Sequence, residues 1–186
     1  MAGSIEHPVM PERRHAREVR WCYSLNRWGG RPRVTRLFAV VSRLGDGYVW
    51  YALIALLPLL GGELGLIAAL HLSALALTNV ALYRTLKRWT RRPRPFRRHE
   101  GIVAWVAPLD EFSFPSGHTL HAVSFTLVAC WYIPWLAVVL VPFAVMVALS
   151  RVVLGLHYPS DVLAATVIGG VLAAGSVQVV LTYGLA

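Results

Sequence analysis

Long apolar stretches alternate with short basic ones along this chain, and that alternation restricts the fold more than any other feature. Tyr48–Leu60, Leu64–Leu86, His118–Trp131, Leu136–Leu154 and Val162–Leu185 are each apolar enough to sit in hydrocarbon. A bilayer core of about 30 Å needs about 20 such residues in a helix, and Tyr48–Leu60 is the shortest of the five. The expected fold is therefore all-α: an integral-membrane helical bundle of about five transmembrane helices. Composition agrees, with 56% apolar and 15% charged residues and a mean hydropathy of +0.56. A soluble domain is closer to about 25% charged.

Residues 1–33 are polar, Arg-rich and interrupted by Pro8, Pro11, Gly29, Gly30 and Pro32, and they read as a basic N-terminal arm. Residues 34–186 then form one membrane-embedded domain. Val34, Leu37, Phe38 and Val41 repeat at helical spacing opposite Thr35, Arg36, Ser42 and Arg43. This predicts a short amphipathic helix over 34–44 that lies in the membrane interface and ends at Gly45-Asp46-Gly47. Met1–Arg20 has no apolar core of a secretory signal. Cys22 and Cys130 lie far apart and suggest neither a disulfide framework nor a zinc site.

A net charge of +9 would ordinarily point to nucleic acid. Here the charge follows the spans. With tight turns at Gly61–Glu63 and Tyr132–Trp135, all 18 Lys/Arg reach one membrane face. Nucleic acid is therefore not an expected partner; the bilayer is. The asymmetry predicts a bacterial inner-membrane protein whose basic face is cytoplasmic.

Three clusters of reactive residues share that face: Lys87 to Pro95, Pro115 to His118, and Ser150 to Asp161. They suit phosphoryl transfer, whose transition state spreads negative charge over the equatorial oxygens. Lys87, Arg94 and Arg151 offer cationic clamps, and arginine can bond two oxygens at once. Ser116 and the Gly117 N–H stand where a helix begins, a natural anion site. His118 and His157 permit one nucleophile and one acid. Asp161, four residues beyond His157, is placed to hold an imidazole nitrogen.

These clusters resemble the three signature motifs of the type-2 phosphatidic acid phosphatase superfamily: Lys87-x6-Arg94-Pro95, Pro115-Ser116-Gly117-His118, and Ser150-Arg151-x5-His157-x3-Asp161. The resemblance covers roughly residues 46–185. It implies metal-independent hydrolysis of a lipid phosphate or diphosphate, with no cofactor. It further implies that His157 is the nucleophile, Asp161 its orienting base and His118 the acid for the leaving group. Lys87, Arg94, Ser116, Gly117 and Arg151 would hold phosphate oxygens. Because the same motifs occur in soluble acid phosphatases and vanadium haloperoxidases, the substrate class rests on the apolar spans. They favour phosphatidic acid, phosphatidylglycerophosphate or a polyprenyl diphosphate. Many relatives have six spans, and the short interfacial helix departs from that pattern.

Other polar residues have plainer explanations. Arg88, Arg91, Arg92, Arg97 and Arg98 read as topology anchors. Asp110 and Glu111 read as a solvated loop, the sharper alternative being that they tune headgroup choice, and His121 as packing beside the site or its access route. His71, Ser73, Thr78 and Asn79 read as bonds between helices. A different class of function also fits the basic face: a non-catalytic membrane protein that binds anionic lipid or a partner. That reading leaves His118, His157 and Asp161 without a role.

Overall fold

The computed structural model describes residues 12–184. Residues 1–11 of the expected arm, and residues 185–186 at the end of the last expected span, lie outside the described part. Seven α-helices follow in order: α1 (Glu12–Gly29), α2 (Pro32–Arg43), α3 (Val49–Thr90), α4 (Pro95–Arg98), α5 (Gly117–Tyr132), α6 (Ala137–Val153) and α7 (Pro159–Tyr183). Proline at the first turn starts α2, α4 and α7, where its missing N–H has no helical partner to lose. Among the described residues there is no strand, only an isolated bridge between Pro93 and Phe112.

The triplet Gly45-Asp46-Gly47 follows the end of α2, as expected. It lies in a wide π-type turn, Leu44–Tyr48, that carries the chain directly into α3. The 42 residues of α3 are themselves two arms, 49–61 and 63–90, because Gly62 takes φ 57° and ψ −131°. A side chain is disfavoured at that φ. The reversal brings the arms so close that a Cβ on Gly65 would stand 1.9 Å from the Leu57 carbonyl oxygen. The expected turn at Gly61–Glu63 is thus present, and both outer ends of the hairpin return to one end of the bundle.

α5 lies at the centre, packed by α3, α6 and α7. Trp50, Leu57, Leu72, Phe125, Val128 and Val147 belong to the main buried cluster. The outer surface is also apolar: Leu59, Leu77, Val138 and Val167 are all largely exposed. Large exposed apolar surface of this kind belongs in lipid. Three helical runs, Pro32–Thr90, Pro134–Val153 and Pro159–Tyr183, are long and apolar enough to cross a bilayer among the described residues. The protein is an all-helical integral-membrane bundle. Inside it, Asn79 donates to Ser124 at 2.8 Å and His71 pairs with the Tyr132 hydroxyl at 3.1 Å. Ser73 and Thr78, expected to bond between helices, instead donate to carbonyls four residues back on their own helix.

The expected arm is not separate from the domain over residues 12–29. Cys22 is buried with Ile102 and Tyr158. Asn26 donates from Nδ2 to the carbonyls of Val103 (2.8 Å) and Val153 (3.2 Å), and accepts from the Val103 N–H at 2.8 Å. These bonds dock α1 against the end of α6 and the loop before α5. A polar, proline-punctuated composition does not reveal such docking, because a few buried residues on one helical face suffice for it.

Candidate active site

At the end of the bundle where α3 both begins and ends, a cavity of about 630 Å³ opens between the hairpin, the start of α5 and the end of α6. Six of the residues expected from sequence line it: Lys87, Arg94, Gly117, His118, Arg151 and His157. They come from five segments of the chain, and the hairpin reversal is what makes their meeting possible.

His157 occupies the tight turn between α6 and α7 and is almost fully buried. Its N–H donates to the Arg151 carbonyl at 3.0 Å. Arg94 Nη1 approaches His157 Nε2 at 3.2 Å. A guanidinium only donates, so Nε2 accepts and the ring proton resides on Nδ1. Nδ1 faces Asp161 Oδ2 at 3.6 Å. Burial, followed by the charges of Arg94, Arg151 and Lys87, holds the imidazole well below its ordinary pKa. The result is a neutral ring whose nucleophilic lone pair points at a cation.

Asp161 is completely buried and fully engaged. Oδ2 accepts the Tyr158 N–H at 2.9 Å, and Oδ1 accepts Arg92 Nη1 at 2.6 Å. Arg92 therefore does more than the expected anchoring. It also donates to Ser160 Oγ at 2.7 Å and to Glu18 Oε2 at 3.0 Å. Glu18, on α1, accepts the Ser160 N–H at 2.9 Å through its other oxygen. The N-terminal helix thus reaches the back of the site.

The three expected phosphate clamps are all buried. Arg94 donates to the Leu156 carbonyl at 2.7 Å and to the Asp110 carbonyl at 3.0 Å. Arg151 donates to Ser42 Oγ on α2, and its Nε is buried with no hydrogen-bond partner among the described residues. Lys87 donates to both Asp110 carboxylate oxygens at 2.7 Å and to the Phe112 carbonyl at 3.1 Å. Arg94 Nη2 also meets Asp110 Oδ1 at 2.7 Å. Asp110 is an exposed loop residue, as expected, and is also a bridge between two cations. Burial works to raise its pKa, but hydrogen bonds and charge from Lys87 and Arg94 outweigh it and hold the carboxyl below its ordinary value.

Ser116 departs from its expected place. It is fully buried and does not line the cavity; its hydroxyl accepts from Thr119 N–H (3.4 Å) and Thr119 Oγ1 (3.0 Å), capping α5. Gly117, the next residue, is on the cavity wall. His118 Nε2 bonds to Asp46 Oδ1. His121 lines the cavity, as expected for a residue beside the site, and bonds back to the Gly117 carbonyl through Nδ1 at 2.9 Å. Among the described residues no group of three or more His, Cys, Asp or Glu is placed to hold a metal ion.

Sequence reasoning missed Asp46, Asp110, Glu18 and the second role of Arg92. One signal was available: the chain has only nine acidic residues beside 18 basic ones. An acid embedded in so basic a segment has several cations within reach.

Fold and site bring three buried cations and a buried histidine together in a membrane-embedded helical bundle. Residues 65–184 match the PAP2 superfamily, and the chain belongs to it. Over 91 residues it is 40% identical to decaprenylphosphoryl-5-phosphoribose phosphatase of Mycobacterium tuberculosis, which covers 48% of each chain. Over 147 residues it is 29% identical to the undecaprenyl-diphosphatase of Sulfolobus acidocaldarius, covering 77% of this chain and 69% of that one. The chain spans about half the length of the first of these relatives. The crystal structure of a transmembrane PAP2 type phosphatidylglycerolphosphate phosphatase from Bacillus subtilis superposes with a TM-score of 0.73 at 22% identity. That superposition covers 90% of this chain and 86% of the other, and shows a shared fold.

Proposed function

We propose that this chain is a metal-independent lipid phosphatase that works through a phosphohistidine. The observation that carries the reading is His157. Its Nε2 lone pair meets Arg94 at the cavity, while the opposite nitrogen faces a buried carboxylate. Nε2 attacks phosphorus, the bond from phosphorus to the lipid oxygen breaks, and His118 protonates the departing alkoxide. Water then attacks the phosphohistidine, gives a proton to His118 and releases inorganic phosphate. Arg94, Arg151 and Lys87 stabilise the charge on the equatorial oxygens, and the Gly117 backbone borders the same space. Asp161 holds the Nδ1 proton as positive charge develops on the ring.

The cavity walls support a lipid rather than a free phosphate ester. Besides its charged groups the cavity has an apolar lining, with Trp50, Ile54, Ala76, Val80 and Phe125 contributed by the two arms of α3 and by α5. A phosphate group at the cations can thus continue into a hydrocarbon chain lying between helices. The relatives' names, a decaprenyl-linked phosphatase and an undecaprenyl-diphosphatase, are consistent with this class. We assign the substrate to phosphatidic acid, phosphatidylglycerophosphate or a polyprenyl diphosphate. The basic end favours a cytoplasmic active site in the bacterial inner membrane. α7 starts at the site and runs away from it, so a reporter fused after Ala186 reads the opposite face.

The experiment is phosphate release from these lipids in detergent. His157→Ala should abolish release while the protein still inserts, and substantial residual release would overturn the mechanism. Wild-type release should persist in EDTA and be inhibited by vanadate. Liposome binding without turnover would favour the non-catalytic reading.

A further inference from the structure

Asp46 lies outside the three motifs and outside residues 65–184 that match the family, yet it lines the cavity and accepts a hydrogen bond from the proposed leaving-group acid. Its position is built rather than incidental. The π-type turn Leu44–Tyr48 exists only around this residue, between α2 and α3. Gly47 takes φ 145° and ψ −30°, a conformation that excludes most side chains. On the other side, a Cβ on Gly45 would stand 3.1 Å from the Val147 side chain and 3.7 Å from the His118 ring. The two glycines let the turn press against α6 and α5, which aims the single carboxylate between them at His118 Nε2.

The second ring nitrogen, Nδ1, makes no hydrogen bond with any described residue, and His118 stands on the cavity wall. The charged groups facing the ring are Asp46 from the turn, Arg151 from α6 and Lys87 from α3. Asp46 is the acid hydrogen-bonded to this imidazole, and the two cations stand beside it. An acid catalyst must hold a proton in that field and present it in a fixed direction.

We propose that Asp46 is a positioning residue for proton transfer to the leaving group. This rests on the reading of His118 as the acid. The carboxylate accepts Nε2–H, so the transferable proton sits on Nδ1 and faces the cavity. As the bond from phosphorus to the lipid oxygen breaks, Nδ1–H passes to that oxygen and leaves a neutral ring still donating Nε2–H to Asp46. In the second half-reaction Nδ1 takes a proton from the attacking water, which restores the imidazolium. The site then contains two histidine–aspartate pairs of complementary purpose. Asp161 backs the nucleophile from α7, and Asp46 backs the acid from the turn between α2 and α3.

The test compares a basic with a weakly basic leaving group, using the full chain in detergent. Phosphatidic acid expels an alkoxide that needs a proton; p-nitrophenyl phosphate expels a stabilised phenolate that does not. Asp46→Asn should lower the single-turnover rate on phosphatidic acid by about 100-fold, the low end of what general acid catalysis contributes. First-turnover release of p-nitrophenolate should change less than about threefold, since that step needs no acid. His118→Ala should show the same imbalance, and the double variant should lose no more than either alone. Parallel losses on both substrates would make Asp46 merely structural, and an unchanged rate on phosphatidic acid would remove its role; either overturns the proposal. Should Asp46→Asn fail to fold, Asp46→Glu keeps a carboxylate and is read by the same ratio. Turnover surviving in His157→Ala would instead refute the proposed reaction, so the two failures are distinguishable.

Discussion

Arg92→Ala removes the charged partner of a carboxylate that has no access to water. The Asp161 side chain is 0% exposed and Arg92 20%, with 2.6 Å between Nη1 and Oδ1. Removing one member of a buried ion pair costs about 3–5 kcal/mol. Asp161 keeps the Tyr158 N–H at 2.9 Å, and Arg92 is partly solvated, so the lower end, about 3 kcal/mol, is expected here. The guanidinium also lies 4.1 Å from the centre of the Tyr158 ring, and that contact is lost as well. In a chain of this length each 1 kcal/mol moves Tm by about 2–4 °C, so the melt in detergent should fall by about 6–12 °C. Activity should fall too, because an Asp161 without Arg92 either takes up a proton or turns away, and His157 Nδ1 loses the negative charge that faces it at 3.6 Å. If the same 3 kcal/mol appears in the transition state, phosphate release drops by about 10²-fold. Arg92→Lys should recover only part of this, since one ammonium cannot span Asp161, Ser160 and Glu18 together. Combining Arg92→Ala with Glu18→Gln should give less than additive losses, with a coupling of about 0.5–3 kcal/mol. A Tm within 2 °C of wild type together with a rate within about threefold would refute the idea that this network holds the nucleophile's carboxylate.

Three further outcomes can be checked. Asp110→Asn removes the carboxylate that an incoming anion meets on Lys87 and Arg94, so the inhibition constant for vanadate should fall by about tenfold; charge-assisted bonds of this kind are worth about 1.5–3 kcal/mol, and weaker inhibition would show that Asp110 aligns the cations instead. Gly65→Ala puts a methyl 1.9 Å from the Leu57 carbonyl and should lower Tm by at least about 5 °C, while Gly175→Ala, which faces open space, should leave it within about 2 °C. His157 has a native pKa depressed below the unfolded value of about 6.5. Below that pH the unfolded chain binds more protons, so stability is retained above about pH 6.5 and lost as pH falls toward 5. Thermal melts from pH 7 to 5 should show this slope, and His157→Ala should flatten it; an identical slope in the variant would contradict a buried neutral ring.

The order of the apolar helices and the gathering of motifs at one end were legible in the sequence, because both follow from local properties; the helices Glu12–Gly29 and Pro95–Arg98 were not. Apolar length sets the helices, Gly61–Glu63 and Pro134 set the reversals, and an even number of crossings returns Lys87, His118 and Arg151 to the same face. Six of the residues so identified do line one cavity. Pairing across the fold was not legible. Glu18 and Ser160 are 142 positions apart, and Asp46 and His118 are 72. The basic composition around Asp110 puts cations within its reach, but does not tell that Lys87 and Arg94 are the two it bridges. Ser116 shows the converse: its place in the motif suggested a phosphate ligand, and packing turned its hydroxyl into a helix cap. Hydropathy and spacing report what each segment does in a bilayer, since that depends on a segment and its solvent. Which acid meets which cation depends on how several segments pack at once, and only the tertiary structure decides it.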